Sequence, residues 1–252
     1  MTLLSLDRLT VKRGDCPVVD AATLQVRPGE LIGLIGPNGA GKTTLMRGAL
    51  GLLPHGGASS LAKMAAHTRA RHVAWLPQAR DIAWPIAVET LVMLGRTPHL
   101  AAGQRPNDRD RAAVTQALAT MGLTGFEQRP ATELSGGEQA RVLIARALAQ
   151  DTPLIMADEP IAGLDPGHQI ATMASFAALA RDGKALVVSL HDLGLAARHC
   201  TRLILMHKGR IHADDVPENV LTPANLAQVF GISAHVAQTS QGLIFQPLEV
   251  LR

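Results

Sequence analysis

The sequence predicts an α/β protein built on a mixed sheet, with an N-terminal antiparallel β-subdomain and an inserted α-helical subdomain. Three observations carry that expectation. LIGLIG (31–36), LIMAD (154–158) and ALVVSL (185–190) are short apolar runs that read as buried strands. HQIATMASFAALARDG (168–183) is a helical stretch between the last two, so they form a βαβ unit and a parallel pair. From about Gln78 to Gln150 the texture is helical throughout, which marks an insertion.

Taken in order, LLSLDRLTV (3–11) and ATLQV (22–26) alternate apolar and polar residues as strands do, and RPGE (27–30) makes a turn. After LIGLIG comes a glycine loop, and KTTLMRGALGLL (42–53) is helical. RHVAWLP (71–77) reads as a further strand. AVETLVMLG (87–95) and DRAAVTQALATMG (110–122) have helical periodicity; in the second, Val114, Leu118 and Met121 share a face, Asn107 or Asp108 caps the start and Gly122 ends it. RLILMHKGRIHADD (202–215) reads as a hairpin turning near Lys208-Gly209. The last forty residues hold a short helix, TPANLAQVF (222–230), and one or two strands.

The chain has 252 residues, of which 47% are hydrophobic and only 2% aromatic, with no tyrosine, so aliphatic side chains and methionine must fill the core. The net charge of +3 comes without a Lys/Arg run or interleaved aromatics, which argues against nucleic acid as a partner. Cys16 and Cys200 form no CxxC pair and read as apolar fillers in a reducing compartment. The first residues carry acid and base by position 8, unlike a signal peptide, and no apolar run reaches the ~18 residues that a bilayer span requires. His199, His207 and His212 are close in sequence but lack ligand spacing, and read as scattered surface histidines.

The chemistry concentrates in a few motifs. GPNGAGKTT (36–44) matches G-x-x-x-x-G-K-[ST]: backbone N–H groups of Gly36, Pro37-flanked Asn38, Gly39, Ala40 and Gly41 wrap phosphates at a helix N-terminus. Lys42 reaches the β- and γ-phosphates, Thr43 ligates Mg²⁺, and Thr44 completes the motif. Asp158, at the tip of LIMAD, is placed to hold Mg²⁺, and Glu159 to polarise an attacking water. His191 follows a strand that should end beside the phosphate loop, where it would meet the γ-phosphate. LSGGEQ (134–139) raises a question: Ser135, Gly136, Gly137 and Glu138 make a second anion-binding helix start, some ninety residues after the first. Alone, that stretch is as well a glycine turn before a capped helix.

Together, GPNGAGKTT, LPQ, LSGGEQ, LIMADEP, GLDP and SLHD, in this order, resemble the nucleotide-binding subunit of an ATP-binding cassette transporter, over essentially the whole chain. The resemblance implies a P-loop NTPase core lobe (1–78 and 151–252) and a helical lobe (79–150), with ATP and Mg²⁺ as cofactors. It implies that Gln78 senses Mg²⁺ and the attacking water, that Asp165 shapes the subunit contact and that His191 is the switch histidine. It also implies a second copy stacked head to tail, so that ATP lies between one P-loop and the partner's LSGGEQ. Where the family stacks an aromatic residue on adenine, this chain has Arg13, whose guanidinium plane either stacks on the base or is a solvated charge.

AWPIAVETLVMLGRTPHL (83–100) and VPENVLTPANLAQVFGI (216–232) are similar to segments of importers for iron–siderophore, haem and cobalamin. That subgroup implies a multi-span membrane permease, a substrate-binding protein acting through it, and residence on the cytoplasmic face of the inner membrane. Trp84, Pro85, Val88, Leu91 and Met93 then either line a groove for a permease helix or pack the insertion's own core. About forty residues follow the hairpin, too few for the extra β-domain of some sugar-importer ATPases, so regulation through such a domain is not expected. A soluble cassette ATPase without a membrane partner, as in iron–sulfur cluster assembly, is the alternative.

Overall fold

The computed structural model describes residues 1–79, 81–239 and 242–251. Strands β1 (Leu4–Arg13), β2 (Cys16–Val26) and β3 (Leu31–Ile35) lead into helix α1 (Lys42–Ala49). Then come β4 (Gly56–Ser59), α2 (Ala66–His72), β5 (Val73–Leu76), α3 (Val88–Met93), α4 (Asp108–Thr120) and α5 (Gly136–Ala149). β6 (Leu154–Ala157), α6 (Pro166–Arg181), β7 (Ala185–Ser189), α7 (Leu193–His199), β8 (Arg202–His207) and β9 (Arg210–Asp215) follow. α8 (Pro217–Val220), α9 (Pro223–Asn225), β10 (Ile232–Thr239) and β11 (Gly242–Val250) end the chain.

The central sheet has strand order β5-β6-β7-β3-β8-β9. All its pairings are parallel except β8 with β9, which closes an antiparallel hairpin through Lys208 (φ 48) and Gly209 (φ 80). A second sheet, β2-β1-β4, is antiparallel. The expected mixed core sheet and N-terminal antiparallel β-subdomain are both present.

Period-two alternation splits the sheet's side chains between two cores. Leu31, Ile155, Leu186 and Leu203 face one cluster, which also holds Phe176 of α6 and much of α5. Ile32, Met156, Val187 and Ile204 face the other, with α1 and the antiparallel sheet. Burying a side chain such as Phe176, 1% exposed, contributes about 1.5–3 kcal/mol. Val88 and Leu91 are buried in the first cluster beside Val114 and Leu118, so these two are core residues and do not line a surface groove. Trp84, by contrast, is 63% exposed.

Several boundaries differ from the sequence expectation for identifiable reasons. α1 stops at Ala49 because Gly51 takes φ 68 while Leu52 N–H bonds the Arg47 carbonyl at 2.9 Å and Gly51 N–H bonds that of Gly48, a Schellman stop. The helical run from Val88 continues past Met93 as a 3₁₀ segment, Leu94–His99, which contains Pro98. Arg71 and His72 end α2 instead of starting a strand, and β4 and α2 have no clear periodicity in so few residues. His199 is half-buried, not a surface residue, and His207 and His212 meet edge-on with ring centroids 6.0 Å apart. Among the described residues no cluster of three or more His, Cys, Asp or Glu has a metal-binding arrangement. No helix of the described residues is long and apolar enough to cross a membrane.

Candidate active site

Four neighbouring strands deliver the predicted residues to one edge. β3 runs into Gly36–Gly41, β5 ends two residues before Gln78, β6 ends at Ala157 beside Asp158, and β7 ends at Ser189 just before His191. All four point their carboxyl ends the same way, so these groups line up along the sheet edge where ligands of open α/β sheets collect.

The loop after β3 is shaped by glycines that cannot be replaced. A Cβ on Gly36, at φ 145, would lie 2.3 Å from the Met206 carbonyl oxygen, and one on Gly41, at φ 101, would lie 2.7 Å from that of Val18. Ala40 anchors the loop to the β8–β9 hairpin by accepting the Gly209 N–H at 3.1 Å. Lys42 is buried, and its Nζ donates to the carbonyls of Gly36 (2.7 Å) and Pro37 (3.2 Å). Burial pushes this ammonium below its ordinary pKa, while the carboxylates of Glu159 and Asp158 oppose that shift. Val18, Asn38 to Thr44 and Glu159 line an open cleft here. Val18 was not picked out from sequence because nothing about a lone strand valine signals a ligand. Arg13 lies exposed on the same β1–β2 hairpin.

Two residues far apart in sequence converge on the carboxylate of a third. Gln78 Nε2 donates to Glu159 Oε2 at 2.9 Å, and His191 Nε2 lies 2.6 Å from Glu159 Oε1. Glu159 itself has φ 50, in the left-handed region that non-glycine residues seldom enter. Asp158 is 1% exposed; Ser189 Oγ donates to its Oδ1 at 2.6 Å, and its Oδ2 is buried with no hydrogen-bond partner. Ser189 was missed from sequence, although a hydroxyl closing an otherwise apolar strand is a signal.

Ser135 and Glu138 form a reciprocal capping box at the start of α5. Ser135 Oγ accepts the Glu138 N–H at 3.3 Å, and the Glu138 carboxylate accepts the Ser135 N–H at 2.8 Å. Those bonds pull the Glu138 carboxyl below the usual range. Glu138 thus serves the helix start, while Ser135 and Gly136 stay exposed. None of Ser135, Gly136, Gly137 or Glu138 lines the cleft around Lys42 in its own chain. Asp165 caps α6 through the His168 N–H (3.0 Å) and pairs with the His168 ring.

The segment leaving Gln78 is laced to the segment entering Ser135. Val88 N–H bonds the Arg129 carbonyl (3.0 Å), Glu89 N–H that of Glu127 (2.9 Å), and Ala131 N–H that of Ile86 (2.8 Å). Gln128 Nε2 adds a bond to the Glu89 carboxylate at 3.1 Å.

With this geometry in place, comparison with known proteins is decisive. Residues 19–162 match the ABC transporter family. The chain belongs to the ABC transporter family. Its ATPase domain binds and hydrolyses ATP. A hemin import ATP-binding protein of Pseudomonas entomophila is 42% identical over 245 residues, 93% of this cassette and 94% of that protein. A cobalamin import ATP-binding protein of Halobacterium salinarum is 39% identical over 234 residues, covering 90% of the cassette and 58% of its relative. Among solved structures, a metal-chelate type ABC transporter in an inward-facing conformation is 25% identical with a TM-score of 0.85, covering 99% of the cassette and 98% of that chain.

Proposed function

We propose that this cassette is the ATP-hydrolysing subunit of an importer for a metal chelate, such as a ferric siderophore or haem, or for cobalamin. One observation carries the chemical half: Gln78 and His191 both reach the carboxylate of Glu159. Glu159 is then the general base that takes a proton from the attacking water. His191 and Gln78 fix that carboxylate's two oxygens and flank the γ-phosphate. Lys42 and the N–H groups of Gly36 and of Asn38 to Thr44 hold the phosphates, and the Arg13 guanidinium stacks on adenine from the β1–β2 hairpin. The hemin and cobalamin import relatives support the transport half.

The residues fit a hard divalent cation. Asp158 Oδ2 is a buried carboxylate oxygen without a partner, and Thr43 and Gln78 supply further oxygen donors. Mg²⁺ held by Thr43, Asp158 and Gln78 would neutralise charge on the β- and γ-phosphates.

Ser135, Gly136 and Gly137 lie outside the cleft of their own chain, which supports their serving the site of a second copy. Two copies stack head to tail around two ATP molecules, with Asp165 at the seam. The γ-phosphate holds the two copies together, and its cleavage lets them part. Residues 1–78 with 151–252 form the nucleotide-binding lobe, and 79–150 the helical lobe. The exposed Trp84 and Pro85 then face a multi-span permease, placing the subunit on the cytoplasmic face of the membrane. A substrate-binding protein acts on the permease's other side.

The test is reconstitution with the permease in vesicles. Uptake of one cargo among haem, a ferric siderophore and cobalamin is expected to require ATP and Lys42. Purification with soluble scaffold proteins alone, and with no multi-span partner, would overturn the importer reading.

A further inference from the structure

Ser189 lies at the carboxyl end of β7 with no solvent exposure. Its hydroxyl does two things at once. It donates to Asp158 Oδ1 at 2.6 Å, and it accepts the backbone N–H of Glu159 at 2.8 Å. A single hydroxyl has one proton to give, and here it goes to the carboxylate; its lone pair takes the amide. A valine or alanine in this place, in keeping with the rest of the strand, would do neither.

Both partners need such help. Asp158 is a buried carboxylate whose other oxygen has no partner, so the Ser189 bond is what fixes its rotamer and leaves Oδ2 directed away from the bond. Glu159 has φ 50, a conformation that L side chains adopt at a cost, and a hydrogen bond to its own N–H holds that backbone in place. The left-handed turn at Glu159 lets adjacent carboxylates in one chain segment face different tasks. Asp158 stays buried, and Glu159 reaches Gln78 and His191.

We propose that Ser189 is a positioning residue for ATP hydrolysis: one hydroxyl orients the metal-binding carboxylate of Asp158 and pins the backbone of the base Glu159. This rests on the reading of Asp158 and Glu159 given above. Ser189 is fully buried, and it acts through its two neighbours. It also links the end of β7, which leads to His191, to the end of β6, which leads to the two acids, so the three side chains share one reference point.

The test compares Ser189→Ala with Glu159→Gln and with Val187→Ala, a buried apolar change on the same strand outside the site. Ser189→Ala is expected to lower kcat about tenfold, the usual effect of losing a hydrogen bond to a charged group, with the KM for ATP changed by less than about twofold. Mn²⁺ binding to the protein with a non-hydrolysable ATP analogue, followed by electron paramagnetic resonance, is expected to weaken about fivefold. Val187→Ala should lower the melting temperature yet leave kcat and the Mn²⁺ affinity unchanged. If Glu159→Gln is slow while Ser189→Ala keeps the wild-type kcat and Mn²⁺ affinity, or loses activity only in step with its melting temperature, the role of Ser189 is overturned. If Glu159→Gln itself turns over at the wild-type rate, the reading of the site falls, and the inference with it.

Discussion

Gln78 and Glu159 are joined by a 2.9 Å hydrogen bond although 81 residues separate them in the chain. The bond spans the loop after β5 and the loop after β6, neighbours in the sheet. It makes the segment that leaves the sheet for the helical insertion a direct partner of the Glu159 carboxylate. The same segment is laced through Ile86, Val88 and Glu89 to the run before Ser135. Ile86 N–H also bonds the Trp84 carbonyl at 2.8 Å, so the lacing extends to the exposed Trp84.

Glu159→Gln should bind ATP but hydrolyse it roughly 10²–10⁴-fold more slowly, the range associated with a positioned general base. Under ATP it should accumulate as a dimer. Phosphate release and light scattering with size exclusion read both outcomes; a monomeric, ATP-loaded variant would count against the shared site.

Ser135→Arg should block hydrolysis while ATP still binds at Lys42, since Ser135 is exposed and outside that cleft. Lys42→Ala should abolish productive nucleotide binding. Mixed together, the two inactive variants should regain part of the turnover, because a mixed pair retains one intact composite site. No recovery at any mixing ratio would argue that each chain works alone.

Arg13→Ala should raise the ATP dissociation constant about two- to fivefold, the value of an exposed cation–π or stacking contact of about 0.5–1 kcal/mol. The same change should leave inorganic triphosphate binding unaltered. Equal affinities of wild type and variant for ATP would identify Arg13 as a solvated charge.

Asp110 and Arg96 form a buried ion pair at 2.9 Å, each side chain only 4% exposed, and Arg96 also donates to the Ala149 carbonyl at the end of α5. The Asn107 backbone N–H and the Arg96 guanidinium hold the Asp110 carboxyl below its ordinary value of 3.8. Its stabilisation is thus complete above about pH 4 and fades as pH falls through the depressed folded value. Asp110→Ala should cost about 3–5 kcal/mol by leaving Arg96 buried and unpaired. Calorimetric melting should show a drop of roughly 10 °C at neutral pH. The gap between wild type and Asp110→Asn should close below the ordinary carboxylate range; a gap independent of pH would disprove the ionised pair.

The sequence alone determined the phosphate loop, the order of the motifs and the alternation of buried strands, because these are local. Gly36 and Gly41 take positive φ within the loop itself, and short uninterrupted apolar runs announce their own burial. Gly122 was legible for the same reason, and the opposite cap was narrowed to Asn107 or Asp108, of which the structure uses Asn107, since helix ends are capped within one turn. The convergence of Gln78 and His191 on Glu159 was only half-legible. Each residue could be named, but the strand order that brings them together is a property of the sheet.

Only the tertiary structure decided that Val88 and Leu91 are core residues while Trp84 is exposed, since all three lie on the same apolar stretch. It alone revealed the two hydrogen bonds of the Ser189 hydroxyl, the left-handed backbone of Glu159 and the buried Arg96–Asp110 pair. Those features depend on contacts between segments remote in sequence. A hydroxyl or a charge acquires its role from what the fold packs against it, and neighbours along the chain do not specify that environment.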